Sequence, residues 1–372
     1  MNLPIMTRLF VLFLIAVMPN FLFGQGDWSR WRGPEGNGVA SSQKPPIQWS
    51  LDNNVIWKAK VPGRGHASPI IVDGKIFLAT ADEAKQTQSV VCFSRGNGKQ
   101  IWETEVNSGG FNPKIHRKNT HASPTIATDG KHVFAVFSHH GSVHVTALDF
   151  EGEEVWKQKV GVYQTRYPFG YGASPIVYGD SLIVTNENDA DGAVVAYDAN
   201  SGDQRWKIDR TGNTSYSTPV VTKVAGKDQL LLSGGQKVAG YDPATGKQLW
   251  STPASWGVTC GTMVWDGDMV FASGGFPSGQ TLGISAQKGK KVWDNPAKVY
   301  EQSMLAVDGY VFAHSDNGVI YCWRANDGME MWKQKFSNRR VAVSASPVLA
   351  NGNLYFTAEN GETVVVKATH EG

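Results

Sequence analysis

The sequence predicts an all-β protein, a seven-bladed β-propeller built from four-stranded antiparallel blades. Two repeated markers carry this prediction. One is a tryptophan that follows a glycine at a spacing of four residues, and the other is an Ala-Ser-Pro-like opening before an apolar run. Both recur at about the 40–50-residue period typical of propeller blades, which need neighbours because one blade cannot bury both faces of its sheet.

The tryptophan marker predicts the outermost strand of each blade. The glycine supplies the positive φ that a tight turn needs, and the tryptophan then offers a large apolar face to the neighbouring blade. Trp57 is a seventh copy with Asn53 in the glycine position, and the intervals from Trp57 onward are 45, 54, 50, 44, 43 and 39 residues. The six complete pairs are Gly98–Trp102, Gly152–Trp156, Gly202–Trp206, Gly246–Trp250, Gly289–Trp293 and Gly328–Trp332.

The second marker predicts the innermost strands, where small residues suit strands that converge on an axis. Proline lacks a donor for the strand ladder, so it belongs at a strand start or a sheet edge. Seven openings match seven tryptophans, and a ring of eight blades is the less favoured alternative. The five clear openings are 67–69, 122–124, 173–175, 217–219 and 345–347, and the degenerate ones are 260–262 and 302–304.

The two ends of the chain are expected to complement each other. Residues 344–369 supply three strands without a closing tryptophan strand, and residues 53–61 resemble an outer strand with no inner strands before it. An N-terminal strand at 53–61 is therefore predicted to complete the last blade and close the ring, which removes an open sheet edge.

The segment before the repeats divides into a signal and a strap. Residues 1–24 carry one charge, Arg8, before an apolar core that Pro19 interrupts, as in a secretory signal peptide. Residues 25–48 are rich in Trp, Arg and Gly and are interpreted as a strap over one face, and residues 49–372 as the propeller. We expect a periplasmic or secreted protein with no membrane span after signal removal. The net charge of +2 gives no reason to expect nucleic-acid binding.

The repeats at 196–206 and 240–250 resemble the tryptophan-docking motif of the pyrroloquinoline-quinone (PQQ) repeat family. That quinoprotein-like family includes the propeller lipoprotein of outer-membrane β-barrel assembly, and the Trp-x-x-Trp-Arg-Gly-Pro run at 28–34 is similar to exported PQQ-like repeat proteins. The resemblance implies the fold. Dehydrogenases with this repeat carry a vicinal cysteine pair and hold PQQ with calcium, but this sequence has no Cys-Cys. No cofactor is therefore expected, and a PQQ-dependent enzyme is an alternative.

Candidate ligand-binding residues precede the innermost strands, because the loops into those strands meet at one mouth of the central channel. A mouth with this composition suits an anionic or sugar-like ligand, and the alternative is polar packing around a water-filled channel. No catalytic or metal-ligating residue is predicted. The candidates are Arg64, His66, His121, Arg166, Tyr171, Tyr216 and Glu301.

Three further features have plainer interpretations. His140 and His144 would share a strand face, but a polar hairpin is favoured over a metal site. The acidic turn at 187–192 is interpreted as a solvated hairpin rather than a calcium loop. The three cysteines occupy slots of small buried residues, which predicts free thiols rather than disulfides.

These observations favour an exported, non-catalytic scaffold. It is expected to bind a cell-envelope protein or a small molecule at one face of the ring. The alternative is an oxidoreductase, PQQ-dependent or not, or a hydrolase, with its site at the channel mouth.

Overall fold

The computed structural model describes residues 26–40, 43–210, 212, 214–336 and 341–372. The predicted signal peptide at 1–24 lies outside them. The described residues contain no helix, and hence none that is long and apolar enough to cross a membrane. Their 28 strands form seven sheets of four, which confirms the predicted seven-bladed propeller.

In the first six blades the strands follow one another along the chain, from the innermost to the outermost. The first blade contains β2–β5, at Ile70–Val72, Lys75–Asp82, Thr87–Ser94 and Gln100–Ser108. The second contains β6–β9, at Ala127–Thr128, His132–His139, Ser142–Asp149 and Glu154–Val162. The third contains β10–β13, at Ile176–Tyr178, Ser181–Asn186, Ala193–Asp198 and Gln204–Asp209. The fourth contains β14–β17, at Val220–Val224, Lys227–Gly234, Lys237–Tyr241 and Gln248–Pro253.

The last three blades complete the ring. The fifth contains β18–β21, at Val264–Asp266, Met269–Gly274, Gln280–Ser285 and Lys290–Asn295. The sixth contains β22–β25, at Leu305–Val307, Tyr310–His314, Val319–Arg324 and Glu330–Lys335. The seventh contains β26–β28, at Val348–Ala350, Asn353–Thr357 and Thr363–Lys367, together with β1 at Val39–Ala40.

The core lies between blades rather than inside one sheet. Along β7, Val133 and Phe137 pack with the first blade, whereas Phe134 and Val136 pack with the third. Successive side chains of a strand point to opposite faces, so a central strand needs apolar residues at every position when both faces are covered. This explains why the middle strands are nearly continuous apolar runs.

The tryptophans pack as the spacing predicts. In six cases the indole covers the turn glycine of the next blade, where an added Cβ would lie within 3 Å of the ring. The Nε1–H of Trp156, for example, donates to the Ala199 carbonyl of the third blade at 2.9 Å. The six pairs are Trp57–Gly98, Trp102–Gly152, Trp156–Gly202, Trp206–Gly246, Trp250–Gly289 and Trp293–Gly328.

Hydroxyl groups near the strand openings link the blades around the channel. The hydroxyl of Ser174 accepts a hydrogen bond from the backbone N–H of Thr125, and the N–H of Ser174 donates to the hydroxyl of Thr218. Both distances are 2.9 Å. Similar bonds join Ser68 to Thr125, Thr262 to Ser303, and Ser303 to Ser346. The openings therefore supply a small residue and also an acceptor for the neighbouring blade.

The prediction that residues 53–61 complete the last blade as a strand is wrong in detail. Those residues form no strand; instead β1 completes the seventh sheet on its inner side, parallel to β26, with Val39 opposite Leu349. Trp57 nevertheless docks on the first blade and donates to the Arg95 carbonyl at 2.9 Å. The tryptophan contact thus forms without strand pairing, and among the described strands β1 and β26 form the single parallel pair.

The segment 26–40 contacts the inner strands of several blades and reaches the openings at Thr262 and Met304. The backbone of Trp28 pairs with Ile71, and the Trp31 indole donates to Thr262 Oγ1 at 2.9 Å. Arg32 donates to the Met304 carbonyl at 2.6 Å and is 4% exposed. These contacts agree with a strap over one end of the channel. The domain boundaries at 24 and 48 remain predictions.

Candidate functional site

The loops that enter the innermost strands lie at one mouth of the channel, beside the hairpins between the second and third strands of each blade. The polypeptide before β2 is fixed there by paired backbone bonds between Arg64 and Ala81, at 2.8 and 3.1 Å. Gly63 and Gly65 are required because an added Cβ would lie 2.5 and 2.8 Å from carbonyl oxygens of β3. The sequence thus holds the Arg64 and His66 side chains at the rim.

A group of charged side chains occupies this part of the rim. Arg64 pairs with Glu83 at 3.1 Å, and the ammonium of Lys118 pairs with Glu359 at 2.6 Å. The Ser344 hydroxyl lies 2.6 Å from a carboxylate oxygen of both Glu301 and Glu359. The hydrogen bond with Lys118 holds the pKa of Glu359 below its usual value. The rim is therefore mixed in charge.

The two histidines at the rim are held neutral near pH 7. Burial lowers the pKa of His66, and the nearby Arg64 cation lowers it further. Burial also lowers the pKa of His121, whose ring stacks on Phe111 with centroids 4.1 Å apart. Neutral imidazoles offer one donor and one acceptor each, so they suit hydrogen bonding more than charge pairing.

An aromatic patch, defined by Tyr167, Phe169, Tyr216 and Phe276, lies farther round the mouth. Tyr167 stacks on Phe169 at 5.4 Å and meets Phe276 edge to face at 5.6 Å. Phe169 contacts Tyr216 at 5.9 Å, and the Arg166 guanidinium lies 5.6 Å from the Tyr167 ring centre. Loops from three blades build the patch, and Phe276 remains 37% exposed.

A cavity of about 290 Å³ lies beneath the loop 109–121. His121 and Tyr171 line it together with Phe111, Phe137 and Tyr163. Gly110 is needed at the hinge of the loop, because its φ is +70° and an added Cβ would clash with the His140 ring at 2.3 Å. The hydroxyl of Tyr171 donates to the Thr185 carbonyl at 2.6 Å, which fixes this wall.

The structure divides the seven predicted residues among three groups on one mouth. Arg64, His66 and Glu301 lie in the charged rim, Arg166 and Tyr216 belong to the aromatic patch or border it, and His121 and Tyr171 line the cavity. Their role in binding remains a prediction. The sequence reasoning missed Phe169, Phe276, Ser344 and Glu359. The signal for the two phenylalanines is an aromatic residue beside a proline in a loop, at 168–169 and 276–277.

The histidine hairpin differs from the expectation. His140 lies in the turn with a φ of +46°, and His139 is the residue whose ring lies beside His144, with centroids 4.3 Å apart. Burial lowers the pKa of His139 and His144 to about 4. In the parts of the chain that the structure describes, no group of three or more His, Cys, Asp or Glu side chains could hold a metal ion.

The acidic turn at 187–192 is not fully solvated. Glu187 is 2% exposed and pairs with Arg210, which also donates to the Tyr241 hydroxyl at 2.7 Å. Asp189 accepts a hydrogen bond from the backbone N–H of Arg166. The carboxylates therefore hold the loops around them. The three cysteines are free, as predicted, and Cys92 and Cys322 are buried.

The cavity does not fit PQQ with calcium. That cofactor carries several carboxylates, and a bound calcium ion needs oxygen ligands that include protein carboxylates. Of the described residues, those that line the cavity include no Asp, Glu, Lys or Arg. An anionic quinone would lose its hydration there without a compensating cation.

Comparisons with known proteins identify relatives of the chain. Residues 86–334 match the model of the family described as outer membrane protein assembly factor BamB. The chain is 26% identical over 308 residues to the outer membrane protein assembly factor BamB of Burkholderia pseudomallei (strain K96243), which covers 82% of this chain and 65% of that protein. It is 25% identical over 234 residues to the protein of the same name from Moranella endobia (strain PCIT), covering 57% and 58%. The chain thus spans less than two thirds of the length of these relatives.

Solved structures support the fold. BamB from Moraxella catarrhalis superposes with a TM-score of 0.59 at 17% identity, over 83% of each chain. A europium-containing methanol dehydrogenase superposes with a TM-score of 0.50 at 11% identity, over 92% of this chain and 89% of the other. At these identities the similarity concerns the propeller architecture alone.

Proposed function

The chain belongs to the family described as outer membrane protein assembly factor BamB, and from this premise we propose that it is an exported, non-catalytic scaffold that binds a protein of the cell envelope. Family membership confirms the resemblance to PQQ-like repeat proteins that the sequence indicated. It also agrees with the expected periplasmic location and with the expectation that the chain is not an enzyme.

The observation that carries the proposal is the aromatic patch. Partner-binding surfaces are enriched in aromatic residues and arginine, and a few such residues supply most of the binding energy. Tyr167 and Phe169 lie in one loop and Phe276 in another, and Tyr167 contacts both of the other rings, so the three are held in place before any partner arrives. Preorganised side chains lose less conformational entropy on binding.

The surroundings of the patch resemble the rim of an interface. Arg166 lies over Tyr167, and Lys298 beside the patch contacts the Tyr300 ring at 4.9 Å and pairs with Asp316 at 3.6 Å. Exposed charges of this kind contribute more to orientation and association rate than to affinity. A protein surface with an apolar centre and polar edges would match this arrangement.

The opposite face is less suited to binding. The segment 26–40 starts there and uses its tryptophans and arginines in contacts within the chain, including Trp28 with Ile71 and Arg30 with Val177. We therefore place the partner at the mouth that carries the loops.

The test is site-specific photo-crosslinking in the producing cell. A crosslinking amino acid at position 276 is expected to capture one envelope protein, and the additional change Tyr167→Ala should remove that product. The matched control is position 310, an aromatic residue in the hairpin at the other face, where it stacks on His370 at 4.9 Å. Equal capture at 310, or no capture at 276, would contradict the proposal.

A further inference from the structure

The cavity beneath the loop 109–121 is separate from the aromatic patch. It is bounded by that loop, by the hairpin end of β7 and β8, and by the polypeptide that leads into the third blade. Phe276 and Tyr167 do not line it. A ligand here and a protein on the patch would therefore use different side chains, so this inference does not depend on the proposed function.

The walls of the cavity are largely aromatic. Phe111, Phe137, Tyr163 and Tyr171 all line it. Phe111 stacks on His121, which also lines the cavity, with ring planes 24° apart, and Tyr163 meets Tyr171 edge to face at 5.4 Å. Flat, supported rings of this kind pack against the C–H faces of a cyclic ligand.

The polar groups in the cavity are all uncharged near pH 7. Asn112, Thr120 and Ser138 contribute amide and hydroxyl groups. Both ring nitrogens of His139 are buried without a hydrogen-bond partner among the described residues. Burial lowers the pKa of His139 to about 4, so its imidazole is neutral and can donate from one nitrogen and accept at the other.

We propose that this cavity binds a neutral sugar ring. Aromatic walls alone would also admit a purely apolar molecule, but such a ligand would leave the imidazole nitrogens of His139 without hydrogen-bond partners. Burying unpaired polar groups is costly, whereas the hydroxyls of a sugar would satisfy them. A charged ligand is disfavoured for the opposite reason, because it would find no opposite charge among the described lining residues.

The size of the cavity fits a small ligand. Its volume of about 290 Å³ lies just below the range of roughly 300–1,000 Å³ for ligand pockets. The positive-φ pair Gly109 and Gly110 joins the covering loop to β5, so the loop conformation at that end depends on glycine.

The test is isothermal titration calorimetry of the purified full-length protein with glucose, galactose and N-acetylglucosamine, beside glucuronate and glucosamine as charged counterparts. We expect saturable binding of at least one neutral sugar and none of the charged ones. Phe111→Ala should weaken binding by roughly tenfold, because it removes one stacking surface. Ser138→Phe should abolish it by filling the cavity. Phe276→Ala is the matched control and should leave the affinity unchanged.

Three results would overturn the inference. One is the absence of binding for all three neutral sugars at millimolar concentration. Another is equal or tighter binding of glucuronate or glucosamine. The third is sugar binding that Phe111→Ala leaves intact while Phe276→Ala weakens it, which would place the sugar on the aromatic patch. A melting temperature within a few degrees of the parent protein shows that each variant is folded.

Discussion

The indole of Trp156 covers Gly202 of the next blade so closely that a Cβ at residue 202 would lie 2.8 Å from the ring. The φ of Gly202 is +76°, a conformation that other residues adopt at a cost. One glycine therefore serves both the turn and the contact between blades. The same relationship repeats around the ring. The spacing of four residues from glycine to tryptophan in the sequence therefore marks the contacts between neighbouring blades.

Gly202→Ala is expected to destabilise the protein by about 2–4 kcal/mol, because it adds a clash with Trp156 to the strain of a positive φ. Urea unfolding measures the change. Gly226→Ala is the matched control, since its φ is +79° and nothing lies within 4 Å of the added Cβ. The control should lose only about 1 kcal/mol. Equal losses of unfolding free energy in Gly202→Ala and Gly226→Ala would show that the clash of the added methyl group with the Trp156 indole has no cost.

Ser174→Ala is expected to cost about 1–3 kcal/mol, since it leaves the buried N–H of Thr125 without an acceptor. Ser174→Thr should restore most of the stability, because Thr218 occupies the corresponding position of the fourth blade and accepts such a bond. Thermal unfolding of the two variants provides the comparison. If the Ser174→Ala and Ser174→Thr variants were equally stable, the hydroxyl at position 174 would have no part in holding the blades together.

Trp57→Ala is expected to loosen the docking of residues 53–61 on the first blade and to cost about 2 kcal/mol. Residues 53–61 form no strand, so the indole contact with Gly98 and the bond to Arg95 hold this segment. Hydrogen exchange should accelerate in β2–β5, the blade on which Trp57 packs. Trp206→Ala, with the corresponding contact at Gly246, should instead accelerate exchange in the third and fourth blades. If exchange accelerated uniformly across all blades in both variants, the tryptophan contacts would not act locally between neighbouring blades.

Stability is expected to fall as the pH decreases from about 6.5 to about 4. Burial lowers the pKa of His314 to about 4, below its value in the unfolded chain. In this window the unfolded state binds the proton more readily, so protonation favours unfolding. At about pH 4 one such histidine lowers the free energy of unfolding by about 3 kcal/mol. His314→Leu should reduce, without abolishing, the slope of unfolding free energy against pH, because the pKa of His139 and of His144 is also lowered to about 4. The control, His370→Leu near the C-terminus, should keep the slope.

PQQ with calcium is expected to leave the melting temperature unchanged. A ligand that binds only the folded state raises that temperature, but the described residues that line the cavity offer no charged partner for the quinone carboxylates. Differential scanning fluorimetry at millimolar calcium tests this. A dose-dependent increase would revive the quinone-dependent alternative.

The local markers made much of the fold predictable. Glycine at a positive φ and tryptophan four residues later are requirements of one turn and one contact, so they appear in the sequence wherever a blade ends. The Ala-Ser-Pro-like openings likewise mark the inner strands. The prediction failed at residues 53–61, which carry the tryptophan marker but form no ladder with β28, and β1 instead extends the seventh sheet at its inner edge.

The candidate site was only partly predictable. The sequence placed His121 and Tyr171 at the channel mouth because they precede inner strands, but it could not separate them from Arg64 or Glu301. Phe111 reaches the cavity and Phe276 reaches Tyr167 through the packing of loops that are far apart in the chain. Such contacts depend on the shape of the ring.

The sequence by itself determined the number of blades, the seams between them and the face where the loops gather. The reason is that each is set by short-range chemistry within one repeat. Only the tertiary structure decided how the ring is completed, which loops form an uncharged cavity and which form an aromatic patch. Those features arise where residues of different blades meet. Their stability depends on burial and on contacts with side chains that lie outside any single repeat.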